Sequence, residues 1–212
     1  IYVRSNSAND LQWTYPLGYG SDYNPLTISN VSNDVNGYLS IYLINSKHPL
    51  TDGTDNCLTK YVSLVHNGLN GTEFDAVYTY SDGDIPGIEG DLDEAGYLTG
   101  SGWVTSTSDP ANVGYDHGTN TISLTDITSW GDLTLGESSG CFDGTLPDKY
   151  TVAAGNWNTG NTWNGGTVPA AGDNVTILHA TITLNTSPTV GNLEITEAGD
   201  LYLYNRNITV QG

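Results

Sequence analysis

Hydrophobic and polar residues alternate along most of the first two thirds of the chain. The alternation in Tyr38–Asn45 (YLSIYLIN) places Leu39, Ile41 and Leu43 on one face. Lys60–His66 and Glu73–Tyr80 show the same spacing, which is typical of half-buried β-strands. Asn-Gly pairs supply turns between such segments, and no segment keeps a helical period over a useful length. This pattern predicts an all-β fold that begins with an antiparallel β-sandwich over residues 1–148.

The pattern changes near Lys149, where short apolar triplets separated by polar or glycine-containing corners begin to recur. The triplets are VTI at 175–177, ITL at 182–184, LEI at 193–195, LYL at 201–203 and ITV at 208–210. Strands this short at this spacing predict the first coils of a parallel β-solenoid within residues 149–212. Two or three coils are too few to be stable alone, so we expect the chain to be part of a longer polypeptide.

Residues 155–174 (GNWNTGNTWNGGTVPAAGDN) carry two tryptophans, Trp157 and Trp163, in an otherwise small and polar stretch. Exposed indoles would suit stacking on a sugar. Buried indoles would instead cover the open apolar end of the first solenoid coil, which must be capped to prevent association. Because the stretch directly precedes the first triplet, we favour the Trp/Gly-rich cap and expect both indoles to be buried.

Composition and charge narrow the classes of function. The chain holds 24 acidic and 5 basic residues, for a net charge of -19. A nucleic-acid partner is disfavoured because its phosphates require Lys and Arg, and attraction to anionic membranes is disfavoured for the same reason. No apolar run approaches the ~20 residues of a membrane helix, so we expect no membrane insertion. The acidic, strand-rich composition is typical of a secreted, extracellular protein.

Cys57 and Cys141 are the two cysteines of the chain. In an oxidising compartment an even pair favours a disulfide, and two separately buried thiols are the alternative. Neither cysteine lies in a cluster with the spacing of a zinc site.

The densest group of carboxylates lies in SDGDIPGIEGDLDEAG, residues 81–96. Calcium binds six to eight oxygen ligands, so alternate acidic residues in a glycine-rich loop suit it. The spacing lacks the EF-hand frame, and a solvated acidic loop is the alternative interpretation. Asp52 and Asp55 in a smaller acidic stretch could add ligands. The ligands to test first for calcium are Asp82, Asp84, Glu89 and Asp91.

Motifs for catalysis are absent from the sequence. The histidines His48, His66, His117 and His179 are scattered without a zinc or catalytic spacing, and no nucleophile elbow, P-loop or dinucleotide fingerprint occurs. No pair of carboxylates stands out as the acid and base of a glycosidase. We therefore expect a protein that is not an enzyme.

Several segments together resemble one family. Trp13–Ser29 (WTYPLGYGSDYNPLTIS) resembles the opening of a sandwich domain that is repeated in very large surface proteins of Bacteroidota-type bacteria, which use type IX secretion. In that family a strand, a Trp-bearing strand and a TSWGDLTLGE-like segment follow. Here AVYTYSDGDIPGIEGDLDEA, GSGWVTST and DITSWGDLTLGES follow in that order, and GNWNTGNTWNGGTVPAAGDNVTI resembles the module that precedes solenoid repeats. Cys57 and Lys60 depart from the family pattern, and the segments that match do not include the sorting domain of the family.

The resemblance implies a structural or adhesive segment of a stalk, filament or adhesin at the cell surface of a Gram-negative bacterium. Its partners would be neighbouring domains of the same chain, other copies in a filament, or a surface glycan. The alternative function is a carbohydrate-recognition module of a secreted polysaccharide-degrading enzyme, with Trp157 or Trp163 on an exposed face.

Overall fold

The computed structural model describes residues 2–3, 12–32, 37–51, 56–67, 69, 73–142, 144, 146–178, 180–196 and 199–212, and all structural statements concern these residues. The chain divides into two compact units. The first unit comprises Ile1–Leu98 and Trp103–Gly144, and the second comprises Thr99–Gly102 and Thr145–Gly212. The expected division into domains at residues 148 and 149 stays a prediction, because compactness alone does not show independent folding.

Short strands connected by turns make up the first unit. They are β1 (Tyr2–Val3), β2 (Trp13–Tyr15), β3 (Gly18–Tyr19), β4 (Asp22–Tyr23), β5 (Leu26–Ser32), β6 (Gly37–Ile44), β7 (Tyr61–Asn67), β8 (Glu73–Thr79), β9 (Glu94–Thr99), β10 (Gly102–Thr105), β11 (Val113–Asp116), β12 (Thr121–Ile127) and β13 (Asp132–Gly136). Two single turns of 3-10 helix, Asp82–Asp84 and Glu89–Asp91, lie between β8 and β9.

Two antiparallel sheets enclose the core of the first unit. One sheet has the strand order β1-β6-β7-β13-β9-β10, and the other has the order β11-β12-β8-β5-β2. Long antiparallel pairings join β6 to β7 and β8 to both β5 and β12. Buried side chains from both sheets form one apolar cluster. The all-β, sandwich-like architecture expected from the alternating pattern is therefore confirmed.

Alternation along β8 shows how the sequence selects this arrangement. Phe74, Ala76 and Tyr78 are buried, whereas the residues between them are exposed or half-buried. Phe74 stacks on Trp130 with ring centroids 4.0 Å apart. A residue period of two on a strand with one buried face thus fixes the register of β8 between its neighbours.

Parallel pairing distinguishes the second unit. Its strands are β14 (Lys149–Tyr150), β15 (Gly155–Asn156), β16 (Val175–Ile177), β17 (Thr181–Thr183), β18 (Thr189–Val190), β19 (Leu193–Ile195), β20 (Asp200–Tyr202) and β21 (Thr209–Val210). Single 3-10 turns span Gly160–Thr162 and Asn164–Gly166. The strands form three parallel ladders, which are β14-β16-β19, β15-β17-β20 and β18-β21.

The first parallel pairings of the unit have offsets of 26 and 27 residues, where Lys149 pairs with Val175 and Gly155 pairs with Ile182, and the later pairings have shorter offsets. Val175 pairs with Leu193, Thr181 with Asp200 and Thr189 with Thr209, offsets of 18, 19 and 20 residues. The ladders have two or three strands each. This number of strands does not confirm the predicted solenoid. What the described residues establish is a β-rich unit with short parallel ladders.

The described residues include no helix with both the length and the apolar character required to cross a membrane.

Candidate functional site

Trp157 and Trp163 lie in the interior of the second unit. Each indole has 1% of its surface exposed, and both pack in a cluster with Val175, Ile177 and Ile182. The rings meet edge to face with centroids 4.8 Å apart, and the Trp163 indole N–H donates a 2.8 Å hydrogen bond to the Trp157 carbonyl. The main-chain N–H of Trp157 continues the β15–β17 ladder by donating to the Thr183 carbonyl at 2.9 Å.

Burial of these indoles argues against the first of the two roles considered for them, which is stacking on a sugar. A sugar stacks on an exposed aromatic face, and neither Trp157 nor Trp163 presents one. The physical reason is that each indole fills apolar volume beside the β16 and β17 side chains, where it removes a large area from water. Carbohydrate stacking at these two residues is therefore not supported by the structure.

Cys57 and Cys141 form a disulfide in the first unit, with their Cα atoms 5.7 Å apart. Cys57 bridges in antiparallel fashion to Gly136, the last residue of β13. A Cβ atom at Gly136 would overlap the Cys141 sulfur, so this position requires glycine for the close approach. The bond joins positions 84 residues apart in the sequence.

Asp84 of the acidic segment belongs to a buried ionic network whose cation is Lys60. Lys60 is 3% exposed and directly precedes β7. Its Nζ lies 2.7 Å from Asp22 Oδ2 and 2.5 Å from Asp84 Oδ1. The Asp84 carboxylate is buried, whereas that of Asp22 is partly exposed. Burying charges is costly unless they are paired, so this pairing explains why Lys60 can occupy an otherwise apolar environment.

Hydrogen bonds fix the second oxygen of the Asp84 carboxylate. Asp84 Oδ2 accepts a hydrogen bond from Asn24 Nδ2 at 2.8 Å and another from the Ser81 main-chain N–H at 3.0 Å. The main chain is held as well, because the Thr59 N–H donates to the Asp84 carbonyl at 2.9 Å. Asp84 and Lys60 are thus brought together by both side-chain and main-chain contacts.

The other carboxylates of the predicted calcium loop are directed to separate partners. Asp82 accepts from Asn120, Glu89 accepts from the Tyr80 hydroxyl, and Asp93 accepts from Ser138. Asp91 is exposed. Among the described residues, no three His, Cys, Asp or Glu side chains are arranged to hold a metal ion. Asp52 and Asp55 lie outside the described residues.

The electrostatics of this network are set by burial and by neighbouring carboxylates. Burial lowers the pKa of Lys60, but its contacts with the Asp22 and Asp84 carboxylates and their negative charges outweigh burial and raise the pKa overall. Burial raises the pKa of Tyr78, and the Asp84 carboxylate raises it further. The Tyr78 hydroxyl is buried and has no hydrogen-bond partner among the described residues. Lys60 therefore remains charged and Tyr78 neutral at neutral pH.

His48 and Asp132 form a second buried polar pair. His48 Nε2 lies 2.9 Å from Asp132 Oδ2, and the Leu50 main-chain N–H donates to His48 Nδ1 at 3.1 Å. Since Nδ1 accepts, Nε2 carries the proton that is donated to Asp132. Both ring nitrogens are engaged and the side chain is buried, so the pair resembles a structural contact rather than a general base.

The remaining histidines are dispersed. His117 Nε2 bonds the Leu92 carbonyl at 2.9 Å, and His66 lies near Trp130 with a ring distance of 5.8 Å. Burial lowers the pKa of His66. His179 lies outside the described residues. The structure therefore does not bring the described histidines together.

Sequence reasoning missed the role of Lys60 and did not consider Asn24. Both residues contact Asp84 from distant parts of the chain. The alternation of hydrophobic and polar residues reports only neighbours in the sequence, so it does not predict such contacts. One signal was present: Lys60 opens an apolar strand in a chain that has only 5 basic residues.

Comparison with known protein families, with curated proteins and with solved structures finds no match for this chain.

Proposed function

We propose that this chain is a non-catalytic structural segment of a long extracellular surface protein, of the stalk, filament or adhesin type. In this proposal the first unit is a rigid bead and the second unit is the start of a β-solenoid. The sequence resemblance to repeated modules of Bacteroidota-type surface proteins supports it, as do the high negative charge and the disulfide, which is typical of oxidising compartments.

The observation that carries the proposal is the different burial of side chains at equivalent positions of the parallel ladders. Ile177 and Val190 are fully buried, whereas Ile195 and Val210, which pair with them, are 45% and 48% exposed. A solenoid buries each coil against the next, so the last coil of a stack leaves its inward side chains uncovered. A further coil of the same polypeptide is the occupant that would complete the burial of Ile195 and Val210.

Asparagine pairs at the corners add support. Asn192 Nδ2 donates to Asn174 Oδ1 at 2.8 Å, and Asn185 Nδ2 donates to Asn158 Oδ1. Each bond joins equivalent positions beside neighbouring strands of one ladder, as in the side-chain ladders of stacked β-structures. Trp157 directly follows β15, and β15 lies at the opposite edge of its ladder from β20, which suits an end cap.

Localisation provides the experiment. Antibodies raised against the purified chain should label intact, unpermeabilised cells of the organism that encodes it, and external protease should remove the label. Electron microscopy of the native polypeptide should show an elongated particle. Labelling only after permeabilisation, or a compact native particle, would contradict the proposal. A cytoplasmic protein of the same cells serves as the control for membrane integrity.

The alternative, a carbohydrate-recognition module, now rests on exposed tyrosines rather than on the two indoles. Tyr19 and Tyr23 are exposed on the β3–β4 hairpin, and Tyr38 and Tyr42 are exposed on β6. A glycan array distinguishes the two functions. Binding that is lost in Tyr19→Ala with Tyr23→Ala, or in Tyr42→Ala, with the fold intact would favour the alternative.

A further inference from the structure

The contact between Lys60 and Asp84 does not have the geometry of an ordinary ion pair. Lys60 Nζ approaches Asp84 Oδ1 to 2.5 Å, but its direction of approach is not that of a hydrogen bond, and Oδ1 has no hydrogen-bond partner among the described residues. Buried carboxylate oxygens are normally hydrogen-bonded, and an exception calls for an explanation. Water is nearly excluded from both groups, since their side chains are 4% and 1% exposed.

We propose that Lys60 and Asp84 condense after folding into an intramolecular amide bond between Lys60 Nζ and Asp84 Cγ, with release of one water molecule. The reaction is a cross-link of the chain to itself and joins the start of β7 to the 3-10 turn that follows β8. It does not depend on the function proposed above.

The condensation balances without any additional reactant. One Lys60 ammonium proton moves to Asp84 Oδ1, which leaves a neutral amine beside a neutral carboxylic acid. Nζ then attacks Asp84 Cγ and passes a second proton to Asp22 Oδ2, 2.7 Å away. Asp22 returns that proton to Oδ1, which departs as water, and Nζ retains one hydrogen as the amide N–H. Asp22 is thus a catalytic residue, acting first as base and then as acid.

Two hydrogen-bond donors are placed where negative charge develops during the attack. The charge of the tetrahedral intermediate falls on Asp84 Oδ2, which already accepts from Asn24 Nδ2 at 2.8 Å and from the Ser81 N–H at 3.0 Å. Fixed donors in a water-excluded site are the arrangement that stabilises an oxyanion. The bond between the Thr59 N–H and the Asp84 carbonyl holds the reacting groups close, which raises their effective concentration.

The product satisfies the polar atoms of the site better than the ion pair does. The amide oxygen, formerly Asp84 Oδ2, keeps both of its donors, and the amide N–H keeps Asp22 Oδ2 as its acceptor. The unsatisfied Oδ1 leaves as water, and two opposite charges disappear from a buried position. Removing buried charges avoids their desolvation cost, which favours the amide over the ion pair.

The same carboxylates also slow the reaction. By raising the pKa of Lys60 they favour the ammonium form, which is not nucleophilic. Because the amide bond uses up both side chains, the reaction occurs once in each molecule. It takes place after the chain has folded. Unfolded chain does not react, because the donors and Asp22 are assembled only by folding.

Intact-mass spectrometry of the purified full chain, denatured and with its disulfide reduced, tests the proposal. We expect a mass lower than that of the sequence by one water. Protease digestion should then release a branched peptide in which Lys60 is joined to Asp84. This peptide is sought in the wild-type protein, so the test does not depend on a variant that folds poorly. A wild-type mass equal to that of the sequence, or a water loss without the branched peptide, would overturn the proposal.

Variants separate the cross-link from other losses of mass. Lys60→Arg keeps the positive charge but removes the nucleophilic amine, so the full mass should return, whereas the matched control Lys47→Arg should keep the water loss. Asp22→Asn should leave most molecules uncondensed.

A succinimide at an Asp-Gly pair such as Asp82-Gly83 also loses water, but it would persist in Lys60→Arg and so contradict the assignment. Loss of ammonia instead of water would point to Asn24 as the acceptor and overturn the choice of Asp84.

Discussion

The two units of the chain achieve burial in different ways. The first unit encloses its core between two antiparallel sheets and adds a disulfide and the buried network of Lys60 and Asp84. The second unit has parallel ladders, an apolar interior completed by two indoles, and no cysteine. In the first unit the pairing joins strands that are distant in the chain, whereas in the second unit each ladder joins short parallel strands. We expect a perturbation to act mainly on the unit in which it is made.

Loss of the disulfide should have the largest effect. In Cys57→Ala with Cys141→Ala, we expect the unfolding free energy of the first unit to fall by about 4–5 kcal/mol, because the unfolded chain regains the freedom of a loop whose ends are 84 residues apart. Hydrogen–deuterium exchange with peptide resolution reports each unit separately, and exchange should rise in β7 and β13 but not in β16 or β17. Wild-type protein with reductant is the matched control. Equal changes in both units would contradict the contrast between them.

Truncation of one indole should destabilise the second unit and leave the first unit unchanged. In Trp157→Ala, we expect the second unit to lose about 3–5 kcal/mol, because a large buried side chain leaves a cavity beside β16 and β17. Exchange should rise in these strands and remain unchanged in β8. Tyr204→Ala, at a residue that is 73% exposed, is the control and should change little. Unaltered exchange in Trp157→Ala would show that the indole does not support the ladders.

Alkaline pH should destabilise the first unit. Burial raises the pKa of Tyr15, Tyr78, Tyr80 and Tyr97, all in this unit, above the ordinary value of 10.0. Above pH 10.0 the unfolded chain loses these phenolic protons while the folded unit keeps them, so stability is complete below that pH and falls as the pH rises. Urea unfolding at increasing pH measures this loss. Tyr78→Phe should reduce it, since the Tyr78 hydroxyl has no partner to lose. A pH-independent midpoint would contradict the effect.

Calcium should have the smallest effect. Lys60 Nζ already fills the position beside the Asp84 carboxyl group, and Asp82, Glu89 and Asp93 are directed to other partners. We therefore expect the melting temperature of the first unit to be the same in calcium and in chelator. A clear rise with calcium in the wild type, absent in Asp82→Asn with Asp91→Asn, would restore the predicted calcium site.

Local patterns in the sequence were sufficient for the all-β class and for most strands. The alternating segments at Tyr38–Asn45, Lys60–His66 and Glu73–Tyr80 coincide closely with β6, β7 and β8, and VTI and LEI coincide with β16 and β19. These features depend on residues two positions apart, and the sequence displays such neighbours directly. The parallel pairing of β16 with β19 follows from the repetition of similar triplets.

Contacts between distant residues could not be predicted in the same way. The sequence left the pairing of Cys57 with Cys141 open, because two cysteines fix the partner of a disulfide but not its existence. Asp84 was grouped with its acidic neighbours, yet its partners Asn24 and Lys60 come from other segments. Each of these contacts exists only because the sheets bring remote turns together.

The disulfide also limits how far the protein can be stretched. If tension is applied at the two ends of the chain, the covalent bond between Cys57 and Cys141 carries it, and the residues between them are bypassed even after the sheets have separated. For a separation of 84 residues, roughly 280–300 Å of extended chain stays stored behind the bond until it is reduced. A reductant would therefore change the contour length of this protein as well as its stability.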